Sequence, residues 1–315
     1  MRLLITGGSG FIGRYLCALA AERGHEVIAT YLSQAELDAL PTISASIQWR
    51  HLNMQDRSEV DRTIDEVRPE GVFHLAAQAY ASVAWKDPQA TFDTNVLGTI
   101  HLYEALRRHP PDHGTFLASS ASAYGAVDTL PMREDSVLNP INPYGVSKAC
   151  QDMLSLQYSL NFGLRIVRGR LFITTGPSKT GDAVSDFARR VVRLEREGKP
   201  ASLPVGNLTP KRDISDVRDI IQAIWKVFES GEPQRPVNIG AGASFSMQGI
   251  IDQLVGLAQV PLTAMPDPAL FRPTDEPEIR ADVTRLRALG FTPRYAIQQT
   301  VEDVLAYWRE HWQNA

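Results

Sequence analysis

Apolar runs of five or six residues alternate, through the first half of the chain, with longer stretches whose apolar positions recur every three or four residues. Residues 2–6 (RLLIT) read as a buried strand that ends in glycines. Residues 11–23 then show helical spacing at Ile12, Leu16, Leu19 and Ala20 until Gly24 stops them. The same two periods predict strands over residues 25–31, 47–52, 71–76, 115–119 and 164–172. They predict helices over residues 56–67, 88–108 and 143–162. Strictly alternating strands and helices mean β-α-β units on a parallel sheet covered on both faces. Right-handed crossovers leave few arrangements, and the expected fold is α/β, a doubly wound parallel (Rossmann) sheet.

After Phe172 the rhythm changes. Glycine and proline become frequent, and the predicted helices over 182–197 and 246–258 have no clear strand between them. This pattern predicts a smaller C-terminal substrate-binding lobe formed by residues 176–212 and 241–315. Residues 1–175 and 213–240 are then expected to form the dinucleotide-binding domain, with the second segment returning to the sheet.

Composition narrows the function. The 315 residues are 43% hydrophobic and 22% charged, which suits one large α/β domain with a smaller attached lobe. A formal net charge of -4 argues against a nucleic-acid partner. No run approaches the roughly 20 apolar residues that span a bilayer, and Met1 leads directly into strand pattern rather than a signal peptide. No membrane association and a cytoplasmic location are therefore expected. Cys17 and Cys150 are read as reduced and structural, and no metal is expected, because His74, His101, His109 and His113 share no ligand spacing.

The chemistry begins where the first strand ends. Gly7, Gly10 and Gly13 give G-x-x-G-x-x-G between a strand and an amphipathic helix. One glycine makes the turn, one admits a pyrophosphate, and one lets helix and strand approach, while the helix N-terminus presents free N–H groups to the anion. The end of the second strand, Ala29-Thr30-Tyr31-Leu32-Ser33, carries neither an acid to repel a 2′-phosphate nor an Arg to hold one. The cofactor is thus NAD(P), with the missing carboxylate leaning towards NADP(H). Asn53, after the third strand, is placed to meet an adenine edge.

Tyr144 and Lys148 form Y-x-x-x-K at the start of a helix, where residues four apart share a face. A phenol titrates near pH 10, so a neighbouring ammonium is needed to bring it into play near neutrality. The fifth strand ends in Ser119-Ser120-Ala121-Ser122-Ala123-Tyr124-Gly125, which offers a hydroxyl to the same substrate oxygen.

Taken together, Gly7-x-x-Gly10-x-x-Gly13, His74-Leu75-Ala76-Ala77, Asn95-Val96-Leu97-Gly98-Thr99, the serine strand and Tyr144-x-x-x-Lys148 resemble the extended short-chain dehydrogenase/reductases over nearly the whole chain. The resemblance implies Ser120, Tyr144 and Lys148 as catalytic residues. It implies a dinucleotide held along Gly7, Gly10, Phe11, Ile12, Gly13, Tyr31, Asn53, Met54, Leu75, Ala76, Ala77, Asn95, Tyr144 and Lys148. The C-terminal half is similar to a narrower branch, the GDP-mannose 4,6-dehydratases and GDP-4-keto-6-deoxymannose reductases. The matching stretches are Thr174-Thr175-Gly176-Pro177, residues 181–189, Val205-Gly206-Asn207-Leu208, Lys211-Arg212-Asp213 and Phe271-Arg272-Pro273-Thr274. That likeness implies a GDP-linked sugar as the partner ligand, contacts from Ser82, Ser122, Ile173, Val184, Arg212 and Arg272, and a homodimer.

Two positions depart from the branch. Its dehydratases carry a Glu where this chain has Ser122, and its usual Phe-Asn is Phe172-Ile173 here. The first departure disfavours loss of water. The expectation is an NAD(P)-dependent oxidoreductase that reduces a GDP-4-keto-6-deoxy sugar at C4. The alternatives, in order, are a nucleotide-sugar 4-epimerase, a GDP-mannose 4,6-dehydratase and a non-catalytic NADP(H)-binding protein.

Overall fold

Within the first strand, Arg2–Thr6 (β1), Leu3 and Ile5 join one apolar cluster while Leu4 joins another, because successive strand residues point to opposite faces. The computed structural model describes residues 1–40, 46–127, 129–271 and 276–311. From β1 the chain runs into α1 (Phe11–Glu22), β2 (Glu26–Tyr31), a short α2 (Gln34–Asp38), β3 (Ile47–His51), α3 (Arg57–Val67) and β4 (Gly71–His74). Next come α4 (Ala81–Lys86), α5 (Pro88–Phe92), α6 (Gly98–Arg108), β5 (Thr115–Ser120), α7 (Pro143–Phe162) and β6 (Ile166–Leu171).

The second half holds β7 (Ile173–Thr175), α8 (Ala183–Glu197), β8 (Ala201–Val205), β9 (Lys211–Asp216), α9 (Val217–Ser230) and β10 (Val237–Ile239). It ends with β11 (Ser244–Ser246), α10 (Met247–Gly256), β12 (Leu262–Pro266), β13 (Glu278–Ile279), α11 (Thr284–Ala288) and α12 (Ile297–Glu310).

The main sheet has the order β10-β6-β5-β4-β1-β2-β3, and its neighbouring strands run parallel. This is the doubly wound α/β fold the alternation predicted. Phe73, Phe116 and Val167 face α1 and α9 on one side; Val72, Leu117 and Ile166 face α3, α6 and α7 on the other. Strand order reverses beside β1, so the carboxyl ends of β1 and β4 diverge and open a crevice there.

Three readings of the pattern need correction. Residues 88–108 are not one regular helix: α5 and α6 are joined by a π-helical turn at Asp93–Leu97. The Thr99 hydroxyl donates to the Asn95 carbonyl over 2.6 Å at that point, an arrangement that apolar spacing does not reveal. The helices α8 and α10 do have strands between them; β8 contains Pro204, β9 is polar and follows Pro210, and β11 has three residues, so they lack a clear period. Finally, β9 does not enter the main sheet. It pairs with β7, β11 and β13, and the return to the main sheet is made by α9 and β10. A separate apolar cluster, including Val191, Leu203, Ile251, Val301 and Trp308, sits among α8, α10, α12 and β8.

A buried ion cluster fixes α7 on the sheet. Asp152 is 1% exposed, and its Oδ1 accepts from Arg168 Nη1 at 2.8 Å and from Arg170 Nη2 at 3.0 Å. Its Oδ2 accepts from Arg170 Nε at 2.9 Å. Burial alone would push the carboxyl upward, but Arg170 and Arg168 hold it below the usual carboxylate range. Arg170 also donates to the Tyr124 hydroxyl and the Glu134 carbonyl, and Tyr124 donates to Asn238 Oδ1 at 2.6 Å. Removing the carboxylate would leave two buried guanidiniums without their counter-charge. Asp152→Ala is expected to lower the unfolding free energy by about 3–5 kcal/mol, measured by urea denaturation. A loss under about 1 kcal/mol would show that water reaches the cluster.

Candidate active site

The glycine turn occupies the crevice beside β1. Gly7 has φ +69°, and a Cβ there would crowd the Ala76 backbone beyond β4. A Cβ on Gly13 would collide with the Gly7 carbonyl oxygen, so this residue lets α1 start hard against the strand. Gly10, the N-cap of α1, has no side chain to accept a hydrogen bond, and the first-turn amides of Phe11 and Ile12 stay available to an anion. The turn is held to the end of β2 by Gly7 N donating to Thr30 Oγ1 at 3.0 Å and Ser9 N donating to Thr30 O at 3.2 Å. This cradle fits the pyrophosphate of a dinucleotide.

Over the start of α1 lies the segment after β7. Arg14 donates to the Ser178 carbonyl at 2.8 Å, Tyr15 to the Pro177 carbonyl at 3.0 Å, and Lys179 Nζ stands 4.9 Å from the Phe11 ring centroid. Lys179 adds positive charge to this side of the crevice. Nothing in its local sequence singled it out.

At the far end, Tyr144 and Lys148 start α7, whose N-cap is Asn142 accepting from Gly145 N at 2.8 Å. Lys148 is 4% exposed, and its ammonium donates to the Ala118 carbonyl of β5 at 2.9 Å, 5.9 Å from the Tyr144 ring centroid. The Ser120 hydroxyl lies near enough to the Tyr144 phenol to lower its pKa, and it accepts from Ser122 N at 3.1 Å. Burial raises the phenol above its ordinary pKa, only partly offset by Ser120, and lowers the lysine to about 7. At neutral pH the phenol therefore holds its proton, ready to donate it.

Behind this pair runs a buried polar chain. Thr6 Oγ1 and His74 Nδ1 are 2.8 Å apart, and His74 Nε2 and Thr99 Oγ1 are 2.9 Å apart. Thr99 Oγ1 gives its one proton to Asn95 O and accepts from Gln151 Nε2 at 2.6 Å. His74 must therefore donate from Nε2 and accept at Nδ1, which assigns it as the neutral Nε2–H tautomer. Asn95, fully buried in the π turn, donates to Ser147 Oγ at 2.9 Å and to the Gln78 carbonyl at 3.0 Å. Ser147 Oγ in turn donates to the Tyr144 carbonyl at 2.7 Å. The chain thus ties β1, β4 and the π turn to the backbone of the candidate acid.

The remaining residues expected at the site belong to several elements. Tyr31 ends β2, with its ring 5.8 Å from that of His51. Asn53 Oδ1 accepts from Gln55 N at 3.0 Å, which makes it a turn former whose amide group is still placed beyond β3. Met54 is buried, packing under Gly98. Leu75, Ala76 and Ala77 follow β4 beside the glycine turn. Ser82 is exposed on α4, Ser122 lies in a single 3-10 turn after β5, and Ile173 opens β7 with 36% exposure. Val184, 1% exposed, has its side chain in the second apolar cluster. Arg212 on β9 donates to the Glu276 carbonyl at 2.7 Å; Arg272 lies outside the described residues.

A family model described as GDP-mannose 4,6 dehydratase matches residues 4–304. The chain belongs to this family. It lies within the extended short-chain dehydrogenase/reductases, as the motif order implied. The GDP-6-deoxy-D-mannose reductase of Pseudomonas aeruginosa is 32% identical over 312 residues, covering 98% of this chain and 97% of that protein. A structure of RMD from the same species, complexed with NADPH, superposes with a TM-score of 0.81 at 28% identity over 99% of this chain and all of that one. The Thermotoga maritima UDP-glucose 4-epimerase with UDP-glucose superposes with a TM-score of 0.89 at 26% identity over 99% and 100% of the two chains. Members of the GDP-mannose dehydratase family and its neighbours thus include reductases, dehydratases and epimerases on one fold.

Burial lowers His74 from 6.5 to about 3, with the nearby Lys148 charge adding to the effect. Below pH 6.5 the unfolded chain binds a proton that the folded chain refuses until about pH 3, so stability rises with pH across that window. Urea unfolding followed from pH 7 to pH 4 is expected to show the wild-type chain losing stability by a few kcal/mol more than His74→Gln. Parallel profiles would show that protons reach His74 in the folded state.

Proposed function

We propose that the protein is an NAD(P)H-dependent reductase of a GDP-linked 4-keto-6-deoxy sugar, acting at C4. The observation that carries this reading is a proton donor without a companion base. Tyr144 is held protonated, and the position where dehydratases of the branch carry Glu is Ser122. A serine hydroxyl does not remove the proton beside a ketone near neutral pH, whereas reduction of a ketone needs only a hydride and one proton.

A reduced nicotinamide bound across the crevice supplies the hydride. The protein's residues do the rest. Gly7, Gly10, Phe11, Ile12 and Gly13 hold the pyrophosphate end. Ser120 and Tyr144 meet the substrate carbonyl oxygen together, and Tyr144 gives its proton as negative charge builds there. Lys148, anchored on Ala118 O, stabilises the resulting phenolate through its charge and orients the nicotinamide ribose.

The same reading divides the chain as residues 1–175 with 213–240 for the dinucleotide and 176–212 with 241–315 for the nucleotide sugar. The separate apolar cluster of α8, α10, α12 and β8 supports a second lobe, although β9 joins its side and Ala281 to Leu286 pack on the first core. In this reading Arg212 binds the GDP moiety, and Arg272, outside the described residues, is the second candidate for that role. Val146, Met153 and Leu160 stand seven residues apart on α7, with 36%, 65% and 60% exposure, and Trp85 and Leu97 are exposed at 65% and 47%. We take this apolar strip to be the contact face of a homodimer. Among the described residues, no helix is long and apolar enough to cross a membrane.

A 4-epimerase is the second reading, favoured by the 0.89 superposition on the Thermotoga enzyme. Incubation with a GDP-4-keto-6-deoxy sugar and reduced cofactor is expected to consume one cofactor per sugar reduced. Product formed from a UDP- or GDP-hexose without net change in cofactor would replace the reductase by the epimerase. Tyr144→Phe is expected to keep dinucleotide affinity within about twofold while kcat falls by about 10²–10⁴. Turnover unchanged in that variant would remove Tyr144 from the mechanism.

A further inference from the structure

The end of β2 lacks the acid that reads an adenosine ribose, but the fold brings one there from the following helix. Glu36, in the first turn of α2, accepts from Leu32 N at 3.1 Å and from Ser9 Oγ at 2.9 Å, both through Oε2. Ser33 is the N-cap of α2, accepting from Glu36 N at 3.3 Å, so the pair reads at first as a capping box. A capping-box carboxylate turns back to the N-cap amide. This one instead reaches past it to the preceding residue and across to the glycine turn. Ser9 is itself tied to the last residues of β2 through Thr30 O. The carboxylate therefore brackets the gap between the pyrophosphate cradle and the end of β2, where the adenosine ribose of a dinucleotide must lie.

The surrounding charge points the same way. Residues 24–49, from the start of β2 into β3, contain no Lys or Arg. The first guanidinium beyond them, Arg50, forms an ion pair with Glu66. The other acid near the crevice edge, Glu59, accepts from His51 Nδ1 at 2.7 Å and from Asn53 N at 3.0 Å. A 2′-phosphate placed beside Glu36 would meet a carboxylate at close range. Two ribose hydroxyls would instead find an acceptor, because Oε1 of Glu36 makes no hydrogen bond within the described residues.

Resting on the dinucleotide reading above, we propose that Glu36 is the residue that reads the 2′ position of the cofactor, accepting from the ribose hydroxyls and excluding a 2′-phosphate. The protein then takes NAD(H) in preference to NADP(H), opposite to the lean drawn from the bare strand end.

The test is titration of the full-length protein with NADH and, separately, NADPH, followed by isothermal calorimetry. Wild type is expected to bind NADH at least tenfold more tightly than NADPH. Glu36→Gln keeps the side-chain shape and removes the charge; it is expected to narrow that ratio at least tenfold, chiefly by gain of NADPH affinity. Glu36→Ala should narrow it as well, with weaker NADH binding, and thermal melting of both variants within a few degrees of wild type confirms folding. Tighter NADPH binding by wild type, or an unchanged ratio in both variants, overturns the role of Glu36 while leaving the dinucleotide site intact. Binding of neither nucleotide overturns both readings.

Discussion

One carboxylate between two guanidiniums sets the geometry of the active site. Tyr144, Lys148 and Asp152 follow one another at intervals of four on α7, so they share a face, and that face lies on β5 and β6. The Asp152 contacts with Arg168 and Arg170 fix both the height and the rotation of the helix on the sheet. A bidentate guanidinium tolerates little slippage. With the helix so fixed, Lys148 Nζ reaches Ala118 O and Tyr144 reaches Ser120. A buried ion pair of this kind contributes less to net stability than to a single arrangement, and here that arrangement is the one the candidate chemistry requires.

The polar chain through His74 acts at right angles to that clamp. A neutral imidazole held in one tautomer joins β1 and β4 to the π turn, and Asn95 passes the connection to α7. A charged histidine in this position would repel Lys148 in a region from which water is excluded. The cost of burying the lysine is already visible in its lowered pKa. The site thus holds one buried lysine among neighbours that carry no charge, while burial of the phenol itself keeps Tyr144 protonated.

Much of this was legible in the sequence where local period and local chemistry coincide. The strands β1, β4 and β5 each carry a short apolar run that is buried, and the glycine spacing follows directly from a strand. The Tyr144–Lys148 interval is a helical turn. What escaped was set by features that leave no period in the sequence, or by contacts distant in the chain. The π turn depends on a threonine bonding back to a carbonyl, and the strands β7, β11 and β13 are three residues or fewer. Glu36 belongs to no motif, and only the folded loop brings it to Ser9. Asp152 carried no motif, because its partners Arg168 and Arg170 belong to the next strand.

The chain does not pass once from the first core to the second. It leaves after Phe172, re-enters at Val217, leaves again beyond Ile239, returns by Ala281 and departs for α12 after Leu286. Docking bonds then fasten that last helix to the first core's edge, from Thr300 to Asp216 and from Asp303 to Arg218. Two bodies sewn together by so many threads cannot swing like beads on a string. Any closing of the crevice over a ligand has to proceed as a slight wringing of several short strands at once, and a single nick in one crossing would leave the halves attached.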